Sequence, residues 1–432
     1  MHLTRRYFLQ STGVLSAYLG VAPFNLIGMT GRAHAMTSVV KPGRTLVVIF
    51  LRGGADGLNL VVPFGDDAYA GLRRTIGIAP PGAGDGRALD LDGYFGLHPR
   101  LRPLLEHFDS GLAVAAHAVG YDQNTRSHFE EQDVWETGII GNTVSSDGWV
   151  NRHLATSTGH GPIRAVAVGD TLPRILRGDV PTYAVRGIED LTLPEMRGVD
   201  PKTVAAALEH AYERPARADA DDARSLLAKT AGATLRGMRE LQAIVGQSYE
   251  PLVEYPPSEL GRRLMQVARL IKADVGLEVA EIDYGGWDTH QNQGRGPGGQ
   301  FGNLAGNLAA SMSAFAHDLE ERLDDVVVVT LTDFGRTAAE NGTAGTDHGW
   351  ANCMLLLGGA VARANRAAGG ERKVVADWPG LGPDQLHEGR DLLHTTDFRD
   401  VLAELVHVHL GNPNLRVVLP QHEFKPVGLV SA

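Results

Sequence analysis

The chain has 432 residues, 43% hydrophobic and 21% charged, which suits a globular protein with one large core or two to three ordinary domains. A formal net charge of −11 speaks against a nucleic-acid partner. The lone cysteine, Cys353, excludes an intramolecular disulfide; within the apolar run C-M-L-L-L it reads as a buried structural thiol.

Residues 1–35 read as an address rather than as fold. Thr4-Arg5-Arg6-Tyr7-Phe8-Leu9-Gln10 closely resembles the twin-arginine export motif. A mildly apolar run from Val14 to Met29 and an A-x-A cleavage site, Ala33-His34-Ala35, follow it. The segment carries Arg5, Arg6 and Arg32 and no acid, so its removal leaves a still more acidic chain. The expected location is periplasmic or extracellular, with the twin-arginine (Tat) translocase as partner during export. That pathway moves folded proteins, which fits a chain without disulfides that takes up a metal in the cytoplasm. No other apolar run is long enough to span a bilayer, so no transmembrane anchor is expected after cleavage.

The first buried strand is Thr45 to Leu51, T-L-V-V-I-F-L, running into R-G-G-A-D-G-L-N. Gly53, Gly54 and Gly57 let the backbone turn tightly and approach a ligand, and Asp56 stands among them. Asp56 reads either as a site carboxylate or as a turn residue bonding its own backbone. Residues 65–98 are turn-rich and read as an excursion from the sheet. Leu112 to Val119 is a second strand. After it, Ser127 reads both as the N-cap of a helix beginning at His128 and as a nucleophile at that helix's N-terminus. His128 itself reads as a surface histidine or one that supports other ligands. Ile163 to Val168 is a further strand, and Pro173 to Pro194 is irregular. Residues 201–248 read as two helices divided near Pro215, and a third runs from Ser258, its N-cap, to Asp274. The helical block, about 195–275, interrupts the strand alternation as an insertion.

Leu277 to Ile282 is a strand leading into D-Y-G-G-W-D-T-H-Q-N-Q. Asp288 and His290 stand two apart in an extended loop, so both side chains reach one ion. An Asp with a His suits zinc, manganese or iron better than calcium. Trp287 is expected to shield this site or pack beneath it. The glycine-rich stretch 294–302 lacks the Lys-Ser/Thr ending of a phosphate-binding P-loop. Residues 303–324 form a helix. The strand around which the rest is organised follows, V-V-V-V-T-L-T, ending on Asp333 with Gly335 and Arg336. A carboxylate at the C-terminal end of a buried parallel strand is how open α/β sheets build sites. Asp347 and His348 arrive after the next loop. Leu355 to Leu357 closes another strand, and Thr396 to Leu410 reads as the last helix, capped by Thr395 or Thr396 and stopped at Gly411. His407 and His409, two apart on that helix, cannot share a face; His394 before it is a weaker candidate.

L-R-G-G-A-D-G-L-N, G-G-W-D-T-H and T-D-F-G-R-T…D-H-G-W, in this order behind an export signal, resemble a bacterial family of twin-arginine-exported proteins of unknown function. That family is similar to a branch of the alkaline phosphatase/sulfatase superfamily. The resemblance covers roughly Thr45 to Leu410. It implies a doubly wound, mostly parallel α/β sheet with helices on both faces, as one domain over 45–410, with 411–432 as a tail. It also implies two metals at the C-terminal strand ends. By that resemblance Asp56, Asp288, His290, Asp333 and His348 are metal ligands and Ser127, or Thr125, lies in the nucleophile region. Phe334 stands where the second metal's histidine belongs, with Asp347 as its replacement. The C/S-x-P-x-R needed for formylglycine is absent. The implied activity is metal-dependent hydrolysis of phosphate or sulfate esters, small or from the envelope, with one or two divalent ions, zinc or manganese. Arg336 or Arg126 would clamp the remaining oxygens. The competing expectation is a degenerate, non-catalytic member that acts as an envelope binding or assembly protein.

Overall fold

A computed structural model describes residues 38–39, 43–141, 145–159, 161, 163–187, 244, 248–370 and 372–432. The export segment and, apart from residues 244 and 248, the two helices expected over 201–248 lie outside the described residues. Among the described residues nine strands form a central sheet: β1 (Thr45–Leu51), β2 (Ala113–Gly120), β3 (Ala165–Val168), β4 (Tyr183–Val185), β5 (Val279–Tyr284), β6 (Val326–Thr332), β7 (Asn352–Gly358), β8 (Val374–Val375) and β9 (Thr396–Asp397). The spatial order is β8-β2-β7-β6-β1-β5-β3-β4, with β9 also paired to β2. All neighbours are parallel except that β7 runs antiparallel to both β6 and β2. The sheet is therefore mixed and mostly parallel, and the chain is an α/β protein.

The registers fix where the loops emerge. Leu51 pairs with Thr332 on one side and Tyr284 on the other. Three central strands thus end level, and the segments after them share one edge. Because β7 is reversed, its first residue, Asn352, meets Val119 at the end of β2 on that same edge.

Alternation along β1 splits the core in two. Val47, Ile49 and Leu51 face one apolar cluster, and Leu46, Val48 and Phe50 face the other. The first is covered by α1 (Arg102–Asp109), α4 (Glu259–Lys272) and α5 (Gly299–Leu319), through Leu104, Leu264, Val267, Leu308 and Phe315. The second is covered by α2 (His128–Thr137), α3 (Trp149–Thr156), α6 (Gly359–Ala367) and α7 (Phe398–Glu404), through Trp135, Trp149, Val361 and Phe398. Each fully buried leucine, valine or phenylalanine contributes about 1.5–3 kcal/mol, so both faces are strongly held. Among the described residues no helix is long and apolar enough to cross a membrane.

Several expectations shift here. Ser258 caps α4 as expected, its hydroxyl accepting from Gly261 N at 3.0 Å. Thr396 belongs to a strand rather than a cap, and Asp397 caps α7 by accepting from Arg399 N. The final helix changes to π-helical spacing at Leu405–His409. The stretch 173–194, expected to be irregular, contains edge strand β4. Residues 411–432, expected as a tail, pack onto the sheet's helices. Leu429 and Val430 are buried, and the N–H groups of residues 427–430 donate to Glu404. Cys353 is buried, and burial pushes its thiol up from the usual range.

Candidate metal centre

Four segments meet at the shared edge: 52–57 after β1, 285–290 after β5, 333–336 after β6 and 347–350 before β7. A fifth, 121–128, arrives from β2 and starts α2. Gly53 and Gly54, at φ +116° and +71°, turn the first segment under the others. A Cβ on Gly53 would lie 2.6 Å from Asp288 N, and one on Gly54 would lie 2.5 Å from the Phe334 ring. No side chain fits at either position.

Three imidazoles converge on one carboxylate oxygen. Asp288 Oδ1 lies 3.1 Å from His290 Nε2, 3.3 Å from His348 Nε2 and 3.6 Å from His128 Nε2. The two nitrogens of His290 and His348 are 2.9 Å apart. His128, Asp288 and His348 each offer a ligand atom, all within 4.8 Å of one another.

The other nitrogen of each ring is anchored. His128 Nδ1 donates to Asp333 Oδ2 at 2.6 Å, His290 Nδ1 to Asp347 Oδ1 at 3.2 Å, and His348 Nδ1 to the carbonyl of Arg126 at 2.8 Å. A carbonyl or carboxylate oxygen can only accept, so each neutral ring keeps its proton on Nδ1 and aims a lone pair from Nε2. His128 Nε2 is buried without a hydrogen-bond partner.

Asp288, His290 and His348, expected as ligands, are therefore brought together. Asp333 and Asp347 adjoin them but face the back of the rings. Both Asp333 oxygens are engaged, Oδ1 by Gly53 N at 3.1 Å and Oδ2 by His128 and by Gln132 Nε2 at 2.9 Å. Burial works to raise the Asp333 carboxyl, but these hydrogen bonds, His128 foremost, hold it below the usual range. The same bond raises His128, against the effect of its burial. Burial also opposes ionisation of Asp288, and the Arg336 guanidinium overcomes it.

Arg336, expected as an oxyanion clamp, is buried and occupied. It donates to the carbonyls of Gly54 at 2.6 Å, Thr346 at 3.0 Å and Trp287 at 3.1 Å, to Gly53 O, and to Asp288 Oδ1 at 2.7 Å. It ties three loops together and fixes Asp288. Arg126 is likewise engaged, by Asp391 and Glu388. Asp56 is placed away from the imidazoles. It is fully buried, with Oδ2 2.5 Å from Arg73 Nη1 and 2.6 Å from Gln293 Nε2. A guanidinium supplies its countercharge. Ser127 holds the N-cap position of α2, but its hydroxyl makes no capping bond.

Phe334 forms the floor. It is fully buried, its centroid 4.7 Å from that of His128 and 4.5 Å from that of His348. Trp287 is also fully buried and packs beneath, against Phe301. His394 accepts from Trp350 Nε1 at 3.0 Å and takes no part in the cluster.

His128 is the residue that sequence reasoning underrated. It and Gln132 lie one helical turn apart on one face of α2 and reach the same Asp333 oxygen. That i, i+4 pair, directly after the loop from a buried strand, was the available signal.

No curated protein matches the chain. A family model described as "Protein of unknown function (DUF1501)" matches residues 113–412. The match takes in His128, Asp288, His290, Asp333 and His348, and more than half of the sequence. The chain belongs to this family of proteins of unknown function, DUF1501.

Proposed function

We propose that the chain is a metal-dependent hydrolase of phosphate or sulfate esters, built on one divalent ion held by His128, Asp288, His290 and His348. The supporting observation is geometric: the Nε2 atoms of three imidazoles, each anchored through its Nδ1, are gathered around one carboxylate oxygen, and a cation would join all four. Asp333, Asp347 and the Arg126 carbonyl orient the rings from behind, as partners of metal-binding histidines do. The donor set of nitrogen and oxygen suits zinc or manganese. Phe334 fills the place of a second metal's histidine, and Arg73 neutralises Asp56, which favours one ion over two.

A bound divalent ion would polarise a phosphoryl or sulfuryl oxygen and lower the pKa of a coordinated water. The chain's own residues do the rest. Asp288 is held by Arg336 so that its Oδ1 faces the histidines. Ser127, next to His128 and with its hydroxyl making no capping bond, would serve as the nucleophile in this reading. Asp288 and His290, 46% and 39% exposed, leave one side of the centre open for an ester to enter. The alkaline phosphatase-like topology, twin-arginine export and a periplasmic or extracellular location belong to the same reading, supported by the motifs quoted above.

A second reading, the non-catalytic envelope protein, draws on the engagement of both Arg336 and Arg126, which leaves neither free for an anion. Metal content by elemental analysis of the cytoplasmically folded protein, beside His290→Ala/His348→Ala, tests the first reading. An ion lost in the double variant, together with ester turnover lost in Ser127→Ala, is the expected result. A folded wild type that binds neither zinc nor manganese would sink it.

A further inference from the structure

A second group of ligand atoms lies on the sheet face covered by α1 and α5, and the centre just described uses none of it. Glu106 and His107 are adjacent on α1, and Ser313 and His317 lie one turn apart on one face of α5. Glu106 Oε1 is 2.8 Å from His317 Nε2 and 3.8 Å from His107 Nε2. The two imidazole centroids are 5.2 Å apart. One donor from each of Glu106, His107 and His317 falls within 4.8 Å of the others.

We propose that Glu106, His107 and His317 form a second zinc site, which clamps α1 to α5. Donors bonded tetrahedrally to zinc at about 2.0–2.1 Å stand roughly 3.3 Å apart, and the separations of 2.8 and 3.8 Å bracket that spacing. The ligands sit on helices that already share a core, through Leu104 and Phe108 of α1 and Met312 and Phe315 of α5, so little ordering is needed. His107 is buried to 5% side-chain exposure, and its Nε2 is met at 3.1 Å by the Ser313 hydroxyl. That hydroxyl also stands 3.5 Å from Glu106 Oε1, so it can pass from His107 to the carboxylate when zinc takes the imidazole. The outer side is open, with His317 48% and Glu106 60% exposed, which leaves the fourth position to water. Three protein ligands with water in the fourth place is a set that zinc accepts, and its ligands come from two helices, so the ion would bind one to the other.

The clamp sits upstream of the catalytic edge. α1 runs into β2, whose following loop delivers His128, and α5 follows the Asp288–His290 segment and leads through a short turn into β6 and Asp333.

The test is zinc stoichiometry by equilibrium dialysis and elemental analysis, with a thermal melt of each sample with and without zinc. The samples are wild type, His290→Ala/His348→Ala, His317→Ala and the triple variant. The expected contents are about two ions, one, one and none, and zinc should raise the Tm of the double variant but not of the triple variant. Zinc retained in the triple variant, or absent from a folded double variant, would overturn the second site. Should the double variant not fold, His317→Ala alone decides, because the side chain is half exposed: a wild-type content unchanged by that substitution refutes the clamp. A wild type holding one ion, removed by His317→Ala but untouched by His290→Ala/His348→Ala, would instead count against the hydrolase reading alone.

Discussion

The buried pair of Asp56 and Arg73 gives the sharpest contrast between what the sequence suggests and what the fold does with it. Both side chains are 0% exposed, and they meet at 2.5 Å. Arg73 also donates to Asn59 Oδ1 and to the carbonyls of Ala338 and Thr337, each at 2.9 Å. Those three acceptors are neutral, so Asp56 is the contact that balances the charge. Asp56→Asn keeps an acceptor for Gln293 and nearly the same volume, but it leaves a guanidinium in the core without a counter-ion. Breaking a buried pair from one side costs about 3–5 kcal/mol. At roughly 2–4 °C per kcal/mol for a large domain, the melting point should fall by about 6–20 °C. Zinc affinity at 20 °C, measured by competition with a chromogenic chelator, should stay within about twofold, below 0.5 kcal/mol. Arg73→Met added to Asp56→Asn should recover part of the loss, because the stranded charge is then removed. A melting point unchanged by Asp56→Asn would refute the ion-pair account. Loss of zinc with stability intact would restore Asp56 as a ligand.

Two further outcomes follow from the same geometry. Asp333→Asn, which keeps the shape behind His128 but removes the charge, should weaken metal binding about 10–100-fold, or about 1.4–2.7 kcal/mol; unchanged affinity in a calorimetric titration would deny Asp333 its orienting role. Asp318 is a buried carboxylate held by Lys272 at 2.6 Å, Leu252 N at 2.9 Å and the hydroxyls of Tyr255 and Tyr249. Burial works to raise it, and these contacts, Lys272 first, hold it below the usual range. With a folded pKa below the unfolded value of about 3.9, its contribution is complete above that value and is lost as pH falls through the folded one. Asp318→Asn should therefore be less stable than wild type near neutrality and converge on it in acid. Parallel denaturation curves from pH 6 to pH 2 would contradict this.

The central strands were legible because continuous apolar runs have one physical meaning in a sheet covered on both faces. Thr45–Leu51 and Val326–Thr332 emerge with the bounds their composition suggests. Asp288, His290 and His348 were legible for the related reason that polar residues just past such strands collect at one edge. His128 was not, because its direction depends on the rotation of α2. That rotation is set by the burial of Glu131 and Trp135, three and seven residues on and so on the same face as His128, and the loop before the helix does not report it. Nor was Arg73, which reaches Asp56 only through the folding of a turn-rich excursion. Strands as short as Val374–Val375 and Thr396–Asp397 carry no periodicity of their own, and their pairing with β2 is imposed by what lies beside them. The direction of β7 was equally silent, since an apolar run reads the same both ways.

That reversed strand has an engineering consequence. A segment joining parallel neighbours must cross the sheet, so its length is bound to the crossover, whereas one joining antiparallel neighbours leaves and returns at the same end. Residues 333–351 are of the second kind: Asp333 and His348 stand at its two feet, each rooted in a core strand. Between them, Asn341 and Thr343 bond the His290 carbonyl, Asn341 also bonds Asp347, and Thr343 and Ala344 accept from the N–H groups of Asn292 and Gln293, whereas at Gly342 an added side chain meets open space. The tip at Gly342 is thus a port at which residues can be added or exchanged to reshape the mouth of the site, while the sheet and the histidine cluster keep their geometry.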